Sequence, residues 1–187
     1  MEQVIQLLKS GKIGVMPTDT IYGLVGSALN PQVVEEIYKL RKRSLAKPMI
    51  ILIASLNDLN QFNIKLSEHQ KKLLEKLWPN PVSVILPCSS KSFEYLHRGK
   101  NSLAFRMPKN KMLLKILKRV GPMVAPSANF EGEKHAENIK EAKNYFKDKI
   151  SFYLDDGIIK SLPSTLISLK DNKIKLLRPG SFKEFKK

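Results

Sequence analysis

The chain has 187 residues, 42% hydrophobic and 27% charged, with one cysteine. That is enough for one globular domain with a sizeable core, and it excludes a disulfide framework within the chain. Lys and Arg total 33 against 17 Asp and Glu, a formal net charge of +16, which suits either a lysine-rich solvated surface or a polyanion partner such as RNA or nucleotide phosphates.

Met1 to Ser10 alternates polar and apolar residues at helical spacing and lacks the apolar run of a signal peptide. No stretch reaches the ~18 apolar residues of a membrane span, and with Cys88 alone the expected location is cytoplasmic, away from membranes. The pattern predicts helices over Glu2–Ser10, Pro31–Lys42, Ser67–Trp78, Lys109–Val120 and Glu137–Lys147. Pro31 stands at a helix start and Ser67 at an N-cap. Apolar runs predict strands over Ile13–Met16, Met49–Ile53, Val82–Leu86, Leu103–Arg106, Met123–Ala125, Phe152–Leu154, Thr165–Leu169 and Ile174–Leu177. Several are continuous Val/Ile/Leu runs, as in sheets covered on both faces. Short runs alternating with amphipathic stretches predict an α/β domain, one twisted mixed sheet with flanking helices. The domain is placed at 1–180, with a basic C-terminal tail at 181–187.

No phosphate-loop or dinucleotide fingerprint occurs, and His69, His97 and His135 are scattered without zinc spacing. Pro17-Thr18-Asp19-Thr20-Ile21-Tyr22-Gly23-Leu24 follows a strand. Its hydroxyls suit a cleft at the strand end, or a turn stabilised by Thr and Asp side chains. Arg41-Lys42-Arg43 closes a helix, where cations favour the helix dipole and could equally clamp phosphates. Ser102, Ala104 and Arg106 share one face of a strand by its period of two. A cation there needs a partner, met by an anionic ligand or a core salt bridge. Pro126-Ser127-Ala128-Asn129 ends another strand, Pro163-Ser164-Thr165 opens one, and Arg178-Pro179-Gly180 closes the next. Hydroxyls, an amide and arginines at the ends of apolar runs describe an anion-binding α/β cleft.

P-T-D-T-I-Y-G-L, the basic triplet, S-L-A-F-R-M-P, A-P-S-A-N, P-S-T-L-I and L-R-P-G occur in the order and rough spacing of the YrdC-like threonylcarbamoyl-AMP synthases. The chain resembles that family from about Val4 to Gly180. The resemblance implies a sheet wrapped around a basic concave cavity. It implies a nucleotidyltransferase reaction, L-threonine plus bicarbonate plus ATP giving threonylcarbamoyl-AMP and pyrophosphate, with Mg2+ accompanying the ATP. A separate tRNA threonylcarbamoyl-transfer complex then receives the product, and tRNA or double-stranded RNA is a further partner. By resemblance, Thr18, Tyr22, Arg106, Ser127 and Ser164 belong to the threonine site, with Arg106 on the carboxylate and Tyr22 shaping the wall. Arg41, Ser102, Asn129 and Arg178 belong to the ATP site, and Arg41 and Arg43 are the catalytic cations. Three features depart from the family pattern. Arg41 stands where lysine is usual, Ser44 where proline is usual, and Phe130–Glu137 keeps Gly132 without the S-P-T that commonly follows. An RNA-binding YrdC-like protein without synthase activity is the alternative, against which the retained Ser127, Asn129, Arg41 and Arg43 argue.

Overall fold

The structure, a computed structural model, describes residues 1–170 and 173–184. Helices α1 (Glu2–Lys9), α2 (Pro31–Leu40), α3 (Glu68–Leu77), α4 (Glu94–His97), α5 (Lys111–Val120) and α6 (Ile139–Phe146) alternate with nine strands. These are β1 (Gly14–Pro17), β2 (Tyr22–Ser27), β3 (Ile50–Leu52), β4 (Val82–Pro87), β5 (Ser102–Arg106), β6 (Met123–Val124), β7 (Phe152–Tyr153), β8 (Thr165–Lys170) and β9 (Lys173–Arg178). Four helices begin on a side-chain cap that satisfies otherwise orphaned amides: Asn30 for α2, Ser67 for α3, Asn110 for α5 and Asn138 for α6. Among the described residues no helix is long and apolar enough to cross a membrane.

The strands form one mixed sheet in the order β7-β1-β2-β6-β3-β5-β4-β8-β9. Side chains alternate between its faces. Val15, Leu24, Ile51, Phe105 and Val124 point to one face and meet α2, α3, α4 and α6 in the larger core. Met16, Val25, Leu52 and Met123 point to the other and meet only α1 and α5. That second pair of helices stops at the β3 side. Beyond it, Ala104 on β5, Ile85 on β4 and Leu166 on β8 line an open cavity. The apolar runs predict a sheet covered on both faces. The second face is instead half covered, and the uncovered half is the cavity floor.

Strand β2 is not among the strands the sequence predicts, since Gly23 and Gly26 dilute its apolar pattern. Gly26 is required by packing: a Cβ there would lie 2.4 Å from Val33 Cγ1 on α2. The residues that follow β9 are tied back, with Ser181 N–H donating to Pro163 O and Thr165 Oγ1 donating to Phe182 O at 2.7 Å. Of the expected basic tail, residues 185–187 lie outside the described residues.

Candidate active site

The end of β5, the start of β8, the end of β9 and the loops after β1 and β6 converge on two adjoining chambers. The outer one is about 480 Å³, within the ~300–1,000 Å³ of small-molecule sites. Arg41, Arg43, Lys100, Ser102, Ser127 and Arg178 contribute its polar lining, and no carboxylate does. The inner one is about 100 Å³ and is lined by Thr18, Thr20, Arg106, Ser127, Ser164 and Arg178. Ile50, Pro126, Ser127 and Arg178 border both.

The turn between β1 and β2 builds one wall of the inner chamber. Thr18 Oγ1 donates to Ile21 O at 2.7 Å and accepts from Thr20 and Ile21 amides at 3.2 and 3.3 Å. The hydroxyl that closes the turn thus also lines the chamber, so the two readings of this motif describe one structure. Tyr22, fully buried, lines neither chamber. Its hydroxyl donates to Gly157 O at 2.8 Å and accepts from Asp156 N at 2.9 Å, fixing the strap that leads to Ser164. Burial pushes its phenol up from the ordinary value.

Arg106 ends β5 on the same face as Ser102 and Ala104, as the period-two pattern requires. Both Arg106 and Asp19 are buried, their side chains 4% and 5% exposed, and Nη2 lies 3.2 Å from Asp19 Oδ1. Nη1 donates to Thr20 Oγ1 at 3.3 Å, while Nε has no hydrogen-bond partner. Desolvation holds its pKa below the ordinary arginine value, and Asp19 opposes that shift. The core salt bridge is therefore real, and Asp19 is its anion. Ser164 is fixed by Ser83, the two hydroxyls 2.8 Å apart, and its carbonyl accepts from Arg178 Nη2 at 2.9 Å. The glycine of L-R-P-G is set by the same approach, for a Cβ on Gly180 would lie 2.3 Å from Pro163 O.

Arg41 is the C-cap of α2 and only 2% exposed. Nε donates to Asn129 O at 3.0 Å, and Nη2 donates to Asn129 Oδ1 at 2.8 Å and Ser127 Oγ at 3.0 Å. Nη1 is buried without a partner. Among the described residues no carboxylate lies within ion-pair distance of Arg41 or Arg178. Burial, and then the nearby Arg43, lower the Arg41 pKa to about 10, and burial lowers that of Arg178. Arg178 is only partly desolvated, since it is exposed at the end of β9, whereas Arg41 is a buried cation without a paired carboxylate, which is costly unless a ligand supplies the opposite charge. Asn129 lines neither chamber, because its side chain is committed: the amide donates to Phe130 O and Glu133 O at 2.8 and 2.7 Å while its oxygen holds Arg41. Arg43 reaches the outer chamber with Nε on Lys47 O at 3.0 Å and Nη2 on Pro48 O at 3.1 Å.

Of the residues singled out in the sequence, Thr18, Arg106, Ser127, Ser164, Arg41, Arg43, Ser102 and Arg178 line the chambers, whereas Tyr22 and Asn129 stand behind them. Thr20, which lines the inner chamber, and Asp19, which pairs with Arg106, stand inside the P-T-D-T motif without a local pattern that marks either one. Ser83 lies mid-strand and Lys100 follows a short helix, with no local pattern to mark either.

A half-open mixed sheet carries an arginine-rich outer chamber and a hydroxyl-rich inner one, which defines an α/β protein with a cation-lined cleft. The Sua5/yciO/yrdC family model, described as telomere recombination, matches residues 6–180, and the chain belongs to this family. It is 32% identical over 175 residues to the threonylcarbamoyl-AMP synthase of Pyrococcus abyssi, covering 92% of this chain and 52% of that protein. It is 30% identical over 181 residues to the threonylcarbamoyl-AMP synthase of Bacillus subtilis, covering 95% and 52%. The chain thus spans about half the length of these curated relatives. The crystal structure of P. abyssi Sua5 complexed with L-threonine superposes with a TM-score of 0.87 at 31% identity, over 95% of this chain and 53% of that one.

Proposed function

We propose that this chain is an L-threonylcarbamoyladenylate synthase, a nucleotidyltransferase that makes threonylcarbamoyl-AMP and pyrophosphate from L-threonine, bicarbonate and ATP. The observation that carries this reading is the buried Arg41 guanidinium, free at Nη1, in a cationic chamber opening onto a smaller chamber of hydroxyls. The outer chamber suits ATP phosphates, and the inner one suits an amino acid with a hydroxyl. The relatives named for this activity, and the L-threonine held by P. abyssi Sua5, support the same assignment.

In this reading threonine occupies the inner chamber against Thr18, Ser127 and Ser164. Its carboxylate faces Arg106, whose Nε lacks a protein partner, and Arg178, which borders both chambers. ATP occupies the outer chamber, its phosphates toward Arg41, Arg43 and Arg178 and its remainder along Ser102. Tyr22 and Asn129 serve from behind, holding the strap and Arg41. The threonine amine adds to bicarbonate with loss of water, or to carbon dioxide with loss of a proton to solvent, giving a carbamate. A carbamate oxygen then bonds to the α-phosphorus as the bond to the β-phosphate oxygen breaks and pyrophosphate leaves. No protein nucleophile takes part. The chain contributes orientation and fixed positive charge where the departing pyrophosphate gains negative charge. Magnesium enters with the ATP. Among the described residues no three His, Cys, Asp or Glu side chains gather to hold a metal ion. The product passes to a tRNA threonylcarbamoyl-transfer complex in the cytoplasm.

Purified protein should release pyrophosphate from ATP only when L-threonine and bicarbonate are both present. Release that ignores threonine, or none at any magnesium concentration, would overturn the synthase reading and leave an RNA-binding role.

A further inference from the structure

The loop that carries Arg43 is tied down by a residue from the segment where this chain departs from its family. Glu131 follows the S-A-N motif, and its backbone N–H donates to Arg41 O at 2.8 Å. Its side chain reaches across to the loop after α2. One carboxylate oxygen accepts from Ser44 N–H and the other pairs with Lys47 Nζ. Ser44 is the position where the family usually has proline, and proline would have no N–H to give.

The tether bears on the chamber through Lys47. The Arg43 guanidinium is held by the carbonyls of Lys47 and Pro48, which belong to the segment Glu131 fixes at Ser44 and Lys47. Lys42 Nζ sits 4.2 Å from the centre of the Phe130 ring, a second contact between the same two loops. Arg43, Pro48 and Met49 all line the outer chamber. Lys47 and then the Ser44 amide hold the Glu131 carboxyl below the usual carboxylate range, with Arg43 adding to the same effect.

We propose that Glu131 is a positioning residue for the polyphosphate site: by clamping Ser44 and Lys47 it fixes the backbone carbonyls that aim Arg43 into the outer chamber. This rests on the reading of that chamber as the ATP site. The sign of the effect is its signature. A carboxylate near a phosphate site, acting only through its charge, repels the ligand, and its removal tightens binding. A carboxylate acting through the loop does the opposite, because a small misplacement of an oriented group weakens its use.

The test measures ATP affinity by calorimetry for wild type, Glu131→Ala and Lys47→Ala, with hydrogen exchange at residues 44–48. Glu131→Ala removes both holds and should weaken ATP binding about tenfold or more, within the ~10²-fold that misplacement near a reacting group can cost, whereas Lys47→Ala leaves the Ser44 hydrogen bond in place and should weaken it less. Exchange at Ser44 should speed up in Glu131→Ala, while the threonine KM stays within about twofold, as expected of groups that act on one subsite only. Tighter ATP binding by Glu131→Ala would reduce it to a repulsive neighbour, and unchanged binding or exchange would overturn the tether. A wild-type protein that binds ATP but releases no pyrophosphate sinks the synthase reading while leaving these affinities to decide on Glu131. A wild-type protein that binds no ATP overturns both.

Discussion

Arg41 and Arg106 are both buried arginines in one site, and their surroundings give them opposite duties. Arg106 has Asp19 as its anion, whereas Arg41 has only neutral oxygens from Ser127 and Asn129. Removing one member of a buried ion pair strands the other charge, at a cost of about 3–5 kcal/mol. Removing an unpaired buried cation gives up hydrogen bonds but also relieves a desolvated charge. Two alanine variants should therefore show contrasting signatures. Arg106→Ala should lower the unfolding free energy by about 3–5 kcal/mol, read from urea titration. Arg41→Ala should change it by less, yet lose about 10²-fold in kcat/KM for ATP, as deletion of a positioned charge stabiliser does. Equal stability losses in the two, with ATP kinetics intact in Arg41→Ala, would contradict the division. If Arg41 is instead a simple helix-end cation, alanine there costs only the dipole benefit of up to about 2 kcal/mol and leaves ATP kinetics unchanged.

Strand β2 shows why an element can be hidden in a sequence. Its two glycines lower strand propensity and look like turn punctuation. In the fold, Gly26 lets α2 approach the sheet: an added Cβ would meet Val33 Cγ1 at 2.4 Å and Ile37 Cδ1 at 3.1 Å. Val33 is β-branched and has one preferred rotamer in a helix, so it gives way poorly. Gly26→Ala should therefore destabilise the protein by about 1–3 kcal/mol, the cost of overpacking, seen as a lower Tm. Since α2 ends in Arg41, ATP affinity should fall with it, whereas an unchanged Tm would mean that the helix shifts freely. The helices were easier to read. Pro31 at the start of α2 and Ser67 before α3 are local signals, and both stand where the sequence places them. The ends differ by a residue or two, because caps replace the terminal turns.

For the whole molecule, the charge of +16 is only partly spent in the chambers. Many of the remaining lysines are exposed, as along α3 and on β9. If RNA is a partner of this surface, tRNA affinity should fall by roughly 0.7–0.9 log units per log unit of salt for each phosphate neutralised. Filter binding across a salt series reads that slope directly. No binding at low salt would leave these lysines as a solvated surface and would not touch the synthase reading, since the product can diffuse to the transfer complex.

The sequence by itself determined the type of most elements, β2 and the short α4 excepted, the α/β class and the shared face of Ser102, Ala104 and Arg106. Capping, apolar period and strand alternation are set by neighbours within a few residues, so they are written locally. The tertiary structure alone decided that Tyr22 and Asn129 brace the site from behind, that Asp19 pairs with Arg106, and that no described carboxylate lies within ion-pair distance of Arg41. Those outcomes depend on partners brought together by the sheet order, such as Arg41 and Asn129, 88 residues apart. It also decided that α1 and α5 cover only part of the second sheet face, since no local pattern records where a helix layer stops. That uncovered half of the sheet forms the floor of the outer chamber.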